Sequence, residues 1–243
     1  MLRDPSQSPQ PPSIPMKPKR IILVRHGESE GNLDKAIYAD KPDYALLLTE
    51  TGMKQASNAG AELKRIIGDE KVKFFISPHF RTRMTFEGIT PHFSREQVTY
   101  VEEPRLREQE WGHFRNENDG KEVDRQRDEF GTFYFRIPDG ESAADVYDRV
   151  SDFFGTMHRE FLKPNFPENV IIVTHGMTIR LFLMRWFHWT VEEFERYHNP
   201  GNCQIIIMQK DDNGKYKLIS ELANEPSKNK HQRPVNPVFA SAS

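Results

Sequence analysis

Ile21-Ile22-Leu23-Val24-Arg25-His26-Gly27-Glu28-Ser29 joins a run of four branched apolar residues to a histidine and a glycine. A run this short and continuous, without polar alternation, reads as a strand covered on both faces, as in a parallel sheet. His26 then stands where the strand ends, at the edge where open α/β sheets hold their ligands. Gly27 has no Cβ and leaves room for a ligand to approach the main chain. Arg25 brings a permanent cation whose planar fork suits phosphate or carboxylate. One strand end thus offers a nucleophile or base, an anion clamp and an open approach.

The pattern recurs downstream. Val170-Ile171-Ile172-Val173-Thr174 runs into His175-Gly176, and Met177 to His188 follows with Ile179, Leu183 and Trp186 (or Phe187) at helical spacing. Side by side in a parallel sheet, these two strands bring His26 and His175 to one edge. A third run, Val72 to Ile76, leads into Ser77-Pro78-His79-Phe80-Arg81-Thr82-Arg83, where a helix start adds its positive end to Arg81. A fourth, Gln97 to Val101, precedes Arg105-Leu106-Arg107-Glu108-Gln109-Glu110-Trp111-Gly112 and sets acids beside a basic cluster.

Helices fill the intervals. Thr49-Glu50-Thr51-Gly52 opens one whose apolar face is Met53, Ala56, Gly60, Leu63 and Ile67, with Gly68 as its stop. Ala143 to Leu162 forms another, turning Val146, Val150, Phe153 (or Phe154) and Met157 inward, and Val191 to Tyr197 a short acidic one. A strand from Cys203 to Met208, a hairpin turn at Asp211-Asp212-Asn213-Gly214 and an antiparallel edge strand from Tyr216 to Leu222 close the chain. The fold class this predicts is α/β: a three-layer α/β/α sandwich on a mostly parallel central sheet with one antiparallel edge strand, spanning residues 19–223.

Taken together, Arg25-His26-Gly27-Glu28-Ser29, Asn32, Ser77-Pro78-x-x-Arg81-Thr82, Leu106-x-Glu108-x-x-x-Gly112 and Thr174-His175-Gly176 resemble the histidine phosphatase superfamily, the phosphoglycerate mutase-like enzymes. The text is most similar to a plant and fungal mutase-like branch, some of whose members are broad-range acid phosphatases. The resemblance implies a covalent phosphohistidine on His26, which splits one hard displacement into two easier ones. It implies that Arg25, Arg81 and His175 surround the phosphoryl oxygens, that Asn32 adds a neutral donor, and that Ser29 and Gly176 join the binding set. Glu108 would protonate the leaving oxygen and then activate water. No metal and no cofactor is implied, since fixed cations take the part that Mg²⁺ plays in other phosphoryl transfers. The family pattern prefers Glu108 to Glu110 and Arg81 to Arg83. Glu110 is then a solvated loop carboxylate, and Arg83 faces water or a substrate tail.

Composition bounds the rest. A net charge of −2 gives no bias toward nucleic acid or membrane surfaces, so any attraction for anions is local. The single cysteine, Cys203, excludes an internal disulfide and a cysteine-based metal site, and reads as a small core residue. Its isolation points to a reducing compartment. Residues 1–18 are rich in proline and read as a disordered tail, and 224–243 as a flexible one. Neither carries a targeting or membrane-spanning pattern, which points to the cytoplasm and leaves the nucleus open. Among the histidines, His79 and His113 flank motif positions at the site mouth. His92, His158, His188, His198 and His231 lack any partner pattern, and no metal-ligand spacing occurs.

The insert at about 113–142 carries Arg115, Lys121, Arg125, Arg127 and Arg136 among Phe130, Phe133, Tyr134 and Phe135. Two readings stand there: a cap with cations for an anionic substrate, or a charged surface helix with an aromatic anchor. The function expected is hydrolysis of a small phosphorylated substrate. A mutase is the alternative, disfavoured because the insert is shorter than the shield a mutase needs. A catalytically idle phosphate-binding scaffold is the third reading. Oligomeric state is not legible, for neither an exposed apolar helix nor a heptad run stands out.

Overall fold

The computed structural model describes residues 17–112 and 117–224. The two tails, His113, Arg115 and His231 lie outside the described residues, apart from residues 17, 18 and 224. Six strands form one sheet in the order β3-β2-β4-β1-β5-β6: β1 Arg20–Arg25, β2 Val72–Ile76, β3 Val98–Glu102, β4 Asn169–Thr174, β5 Ile205–Lys210 and β6 Tyr216–Leu218. The first four run parallel, and β5 pairs antiparallel with both β1 and β6, so the hairpin forms one margin of a mostly parallel sheet.

The strand patterns explain this order. All six residues of β4 are buried, as is expected of the central strand of a sheet covered on both faces. Ile21, Leu23, Phe75, Val170 and Ile172 face one layer, formed by α5 (Ala143–Phe161) and α6 (Gly176–Phe187). Ile22, Val24, Phe74, Ile76, Ile171 and Val173 face the other, formed by α2 (Glu50–Ile67) and α3 (Phe80–Ile89). The two-residue alternation therefore splits each strand between two cores.

Helix ends follow local chemistry. The Thr49 hydroxyl accepts from Gly52 N–H at 3.0 Å to start α2, and Gly68, with φ +65°, ends it. Ser142 and Asp145 cap α5 reciprocally. Short helices α1 (Glu30–Leu33) and α7 (Val191–Arg196) complete the set with α4 (Glu117–Phe130). Among the described residues no helix is long and apolar enough to cross a membrane.

Three local expectations need correction. Met53 lies exposed, because Gly52 occupies the inward place against the main chain of Glu28. The final strand stops at Leu218, since the Ser220 hydroxyl takes the ladder position, accepting from Ile207 N–H at 2.9 Å. Cys203 is only partly buried and precedes its strand, in a left-handed turn with φ +54°. Burial still pushes its thiol up to about 12, which disfavours the thiolate.

In the insert, the described part of α4 and the segment after it carry several ion pairs. Arg125 pairs with Glu122 and Glu129, Arg127 with Asp124, and Arg136 with Asp145. Arg127 also stacks over Trp111, while Phe133 and Ile137 enter the core. These three cations each have a carboxylate partner within the protein.

Candidate active site

Register alone brings the first two groups together. Arg25 lies opposite Thr174 in the β1–β4 ladder, and His26 N–H donates to Thr174 O at 2.9 Å. His26 and His175 leave these adjacent strands at the same edge, with ring centroids 5.3 Å apart at 60°. Both side chains are buried, at 3% and 0% exposure.

His26 Nδ1 lies 2.7 Å from Gly27 O. A carbonyl only accepts, so Nδ1 carries the hydrogen and Nε2 keeps its lone pair. Burial, then the charges of Arg81 and Arg25, hold the imidazole neutral well below the usual histidine range. The other nitrogen, Nε2, is thus unprotonated with its lone pair free. Gly27 serves packing rather than ligand approach: a Cβ there would stand 2.5 Å from Gly52 O. This close main-chain crossing sets α2 against the loop that carries His26.

Arg81 enters from the first turn of α3. The Thr82 hydroxyl donates to Ser77 O at 2.8 Å and to His79 O at 2.7 Å, closing the turn that aims Arg81 inward. Arg81 is only 2% exposed. Arg25 donates from Nη1 to Pro200 O at 2.7 Å, while its buried Nε has no hydrogen-bond partner. Ser77 Oγ contacts His175 Nε2 at 2.8 Å; when the hydroxyl donates, Nδ1 holds the ring hydrogen. His175 Nδ1 is a buried polar atom without a hydrogen bond, 3.9 Å from Glu108 Oε2. Burial, then the charge of Arg81, keeps His175 neutral well below the usual range.

Glu108 supplies the carboxyl group of the cluster. Burial raises its pKa against the opposing pull of Arg81 and of the Gln109 N–H, which donates to Oε1 at 3.0 Å. Its loop hangs from several donors. Thr174 Oγ1 donates to Leu106 O and Thr178 Oγ1 to Arg107 O, at 2.6 and 3.0 Å. Arg149, from α5, donates to the carbonyls of Arg105, Arg107 and Glu108 at 2.6, 2.9 and 2.9 Å, and pairs with Glu141. Glu110 is exposed and turns its N–H to Glu141, and Arg83 pairs with Glu102; neither belongs to the cluster.

Asn32 is exposed, and its Oδ1 accepts from Ser29 N–H, from Ser29 Oγ and from Asn202 Nδ2. With the carbonyl so occupied, the amide NH₂ is the end left for a ligand. Ser29 is itself buried, and its N–H and hydroxyl hold the Asn32 side chain. A Cβ on Gly176 would meet Asn199 at 2.9 Å, so its place at the start of α6 has a packing reason.

Sequence reasoning passed over Tyr38, Asp43, Asn202, Glu141 and Arg149. Tyr38, whose hydroxyl is pushed up to about 12 by burial and lies within reach of the charges of Asp43, Arg81, Glu108 and Arg25, shares an aperiodic loop with Asp43, and Asn202 sits in a Pro-Gly-Asn turn, where no pattern distinguishes them. Glu141 and Arg149 flank the start of α5, where the sequence shows a helix but not the clamp they form on the Glu108 loop. A groove of about 860 Å³ bordered by Phe130, Tyr134 and Trp189 lies at the other end of α6 and holds none of these charged groups.

The histidine phosphatase superfamily (branch 1) matches residues 21–221. Phosphoglycerate mutase-like protein AT74 of Arabidopsis thaliana is 46% identical over 220 residues, which are 85% of this chain and 70% of that protein. Broad-range acid phosphatase DET1 of Saccharomyces cerevisiae is 30% identical, over 81% of this chain and 86% of its own. Among solved structures, mycobacterial glucosyl-3-phosphoglycerate phosphatase shares the fold, with a TM-score of 0.65 at 19% identity over 85% of this chain and 100% of that one. With the family match running from the first strand past the last, the chain belongs to the histidine phosphatase superfamily.

Proposed function

We propose that the protein hydrolyses small phosphomonoesters through a phosphohistidine on His26, with Glu108 as general acid and then base. The observation that carries this reading is the bare Nε2 of His26, set by the Nδ1–Gly27 O bond among Arg25, Arg81 and His175. Nε2 forms the bond to phosphorus as the ester oxygen departs, and that oxygen takes the proton of Glu108. Arg25, Arg81, the His175 ring hydrogen and the Asn32 amide stabilise charge on the three peripheral oxygens. Glu108, now ionised, takes a proton from water as the water attacks phosphorus. The N–P bond breaks, and orthophosphate leaves with His26 neutral again. Fixed cations neutralise the developing charge, so the reaction is expected to survive EDTA.

The acid phosphatase relative supports hydrolysis, and the plant relative's name keeps a mutase in view. A mutase must hold a second anionic group while the phosphoryl group is transferred. Around the acid loop the described cations Arg107, Arg127 and Arg136 are already paired with carboxylates, which favours the hydrolase. Hydrolysis of p-nitrophenyl phosphate, wild type against His26→Ala, tests the proposal. Turnover abolished by the substitution supports it. Conversion of 3-phosphoglycerate to 2-phosphoglycerate without net phosphate release would replace it with the mutase, and no turnover of any phosphomonoester with the idle scaffold.

A further inference from the structure

The wall between α1 and α2 places an anion in the phosphate site that the steps above do not use. It consists of two 3-10 turns, Lys35–Ala39 and Asp43–Ala45. Lys41–Glu30 and Lys35–Asp124 ion pairs, and Leu47 N–H donating to Glu30 at 2.9 Å, pin it in place. Asp43 projects inward from the second turn, its side chain 18% exposed. Arg81 Nη1 donates to the Asp43 main-chain oxygen at 2.6 Å and lies 3.0 Å from Oδ1, and Nη2 donates to Oδ2 at 3.1 Å. His79 Nδ1 lies 3.3 Å from the same Oδ2, and the His79 ring packs edge-on against His175 at 4.9 Å.

A carboxylate against the guanidinium that must receive a phosphoryl group repels the ligand in the ground state. A site built only to bind phosphate would gain by losing it. What the carboxylate supplies is geometry. Arg81 sits on a long flexible stem, and its donors help the transition state only if the fork is already aimed. Asp43 holds both Nη1 and Nη2 of that fork through three oxygens, within range for the charge of Arg81 to act on the His26 ring. We propose that Asp43 is a positioning residue that aims Arg81 at the transition state while weakening the site's hold on free phosphate. This rests on the reading of His26 as the phosphoryl acceptor.

The test is Asp43→Asn, which keeps the shape and removes the charge, alongside Asp43→Glu, which keeps the charge. Turnover of p-nitrophenyl phosphate is measured per active site, counted by trapped phosphoenzyme, and binding of inorganic phosphate is measured directly by calorimetry. For Asp43→Asn, kcat per site should fall by about 10- to 100-fold, while phosphate binds several-fold more tightly. In Asp43→Glu the affinity for phosphate should stay near that of the wild type. Unchanged kcat per site overturns the proposal, as does a loss of countable sites with unchanged phosphate affinity, which would mark a merely structural prop. Phosphate binding that weakens in Asp43→Asn also overturns it. A wild type without turnover sinks the phosphoryl-transfer reading instead, and the calorimetric shift still reports on the carboxylate.

Discussion

Arg149 holds the acid loop from behind, and replacing it separates stability from chemistry. Its side chain is 10% exposed and donates to three main-chain carbonyls as well as to Glu141. Breaking a buried ion pair costs about 3–5 kcal/mol, and a hydrogen bond to a charged group is worth about 1.5–3 kcal/mol. Glu141 keeps Arg107 as a partner at 2.7 Å, which places Arg149→Met at the lower end, about 3 kcal/mol. Arg149→Lys keeps the charge but lacks the fork, and should lose about 1–2 kcal/mol. Most domains have about 5–15 kcal/mol in hand, so both variants should fold. With its support gone the loop shifts, and Glu108 no longer meets the leaving oxygen. An alkyl phosphate needs that proton, whereas p-nitrophenolate leaves without much help. The value of kcat/KM for glycerol phosphate should therefore fall about tenfold further than that for p-nitrophenyl phosphate. Chemical denaturation and the two substrates run in parallel provide the assay. An equal fall on both substrates, or a stability loss under about 1 kcal/mol for the Met variant, would refute the reasoning.

Glu108→Gln should remove the basic limb of the kcat/KM profile, because the raised carboxyl pKa is what ends activity as pH rises; a retained limb would assign it to another group. Gly52→Ala puts a Cβ 2.0 Å from Glu28 O and should destabilise by about 1–3 kcal/mol, with lower activity from the displaced His26 loop; a wild-type melting curve would contradict the packing argument. His26 and His175 stay neutral when folded but protonate at about 6.5 when unfolded, so the unfolded chain binds more protons and stability falls as pH drops below about 6.5. Each contributes up to about 1.4 kcal/mol per pH unit, with Glu108 acting in the opposite sense as pH rises above its unfolded value. Denaturation midpoints between pH of about 6.5 and 5.5 should drop less in a His26→Asn, His175→Asn double variant than in the wild type.

What the sequence revealed and what it hid divide along physical lines. Ile21–Val24 and Val170–Thr174 were legible because burial on both faces demands an unbroken branched run, and that pattern survives any tertiary detail. Their pairing put His26 and His175 at one edge. Gly27 was misread, because a missing Cβ looks alike whether a ligand or the Gly52 main chain comes close. Asp43 and Tyr38 were hidden, because a loop held by 3-10 turns and ion pairs has no period to read. Arg149 was hidden for a different reason: a single arginine on an amphipathic helix reads as solvated until its carbonyl acceptors, more than 40 positions away in sequence, are folded against it. Arg125, Arg127 and Arg136 are ambiguous in the sequence, because a cation reads alike whether it faces a ligand or one of the carboxylates it pairs with in the fold.

The central claim is that phosphorus becomes bonded to His26 Nε2. A short pulse of ³²P-labelled substrate, quenched in alkaline detergent and digested, tests it most directly, because phosphohistidine survives base and is lost in acid. The expected result is base-stable, acid-labile label on the peptide holding His26, absent in His26→Ala and longer-lived in Glu108→Gln. Label on another residue, or steady turnover by His26→Ala, would contradict it.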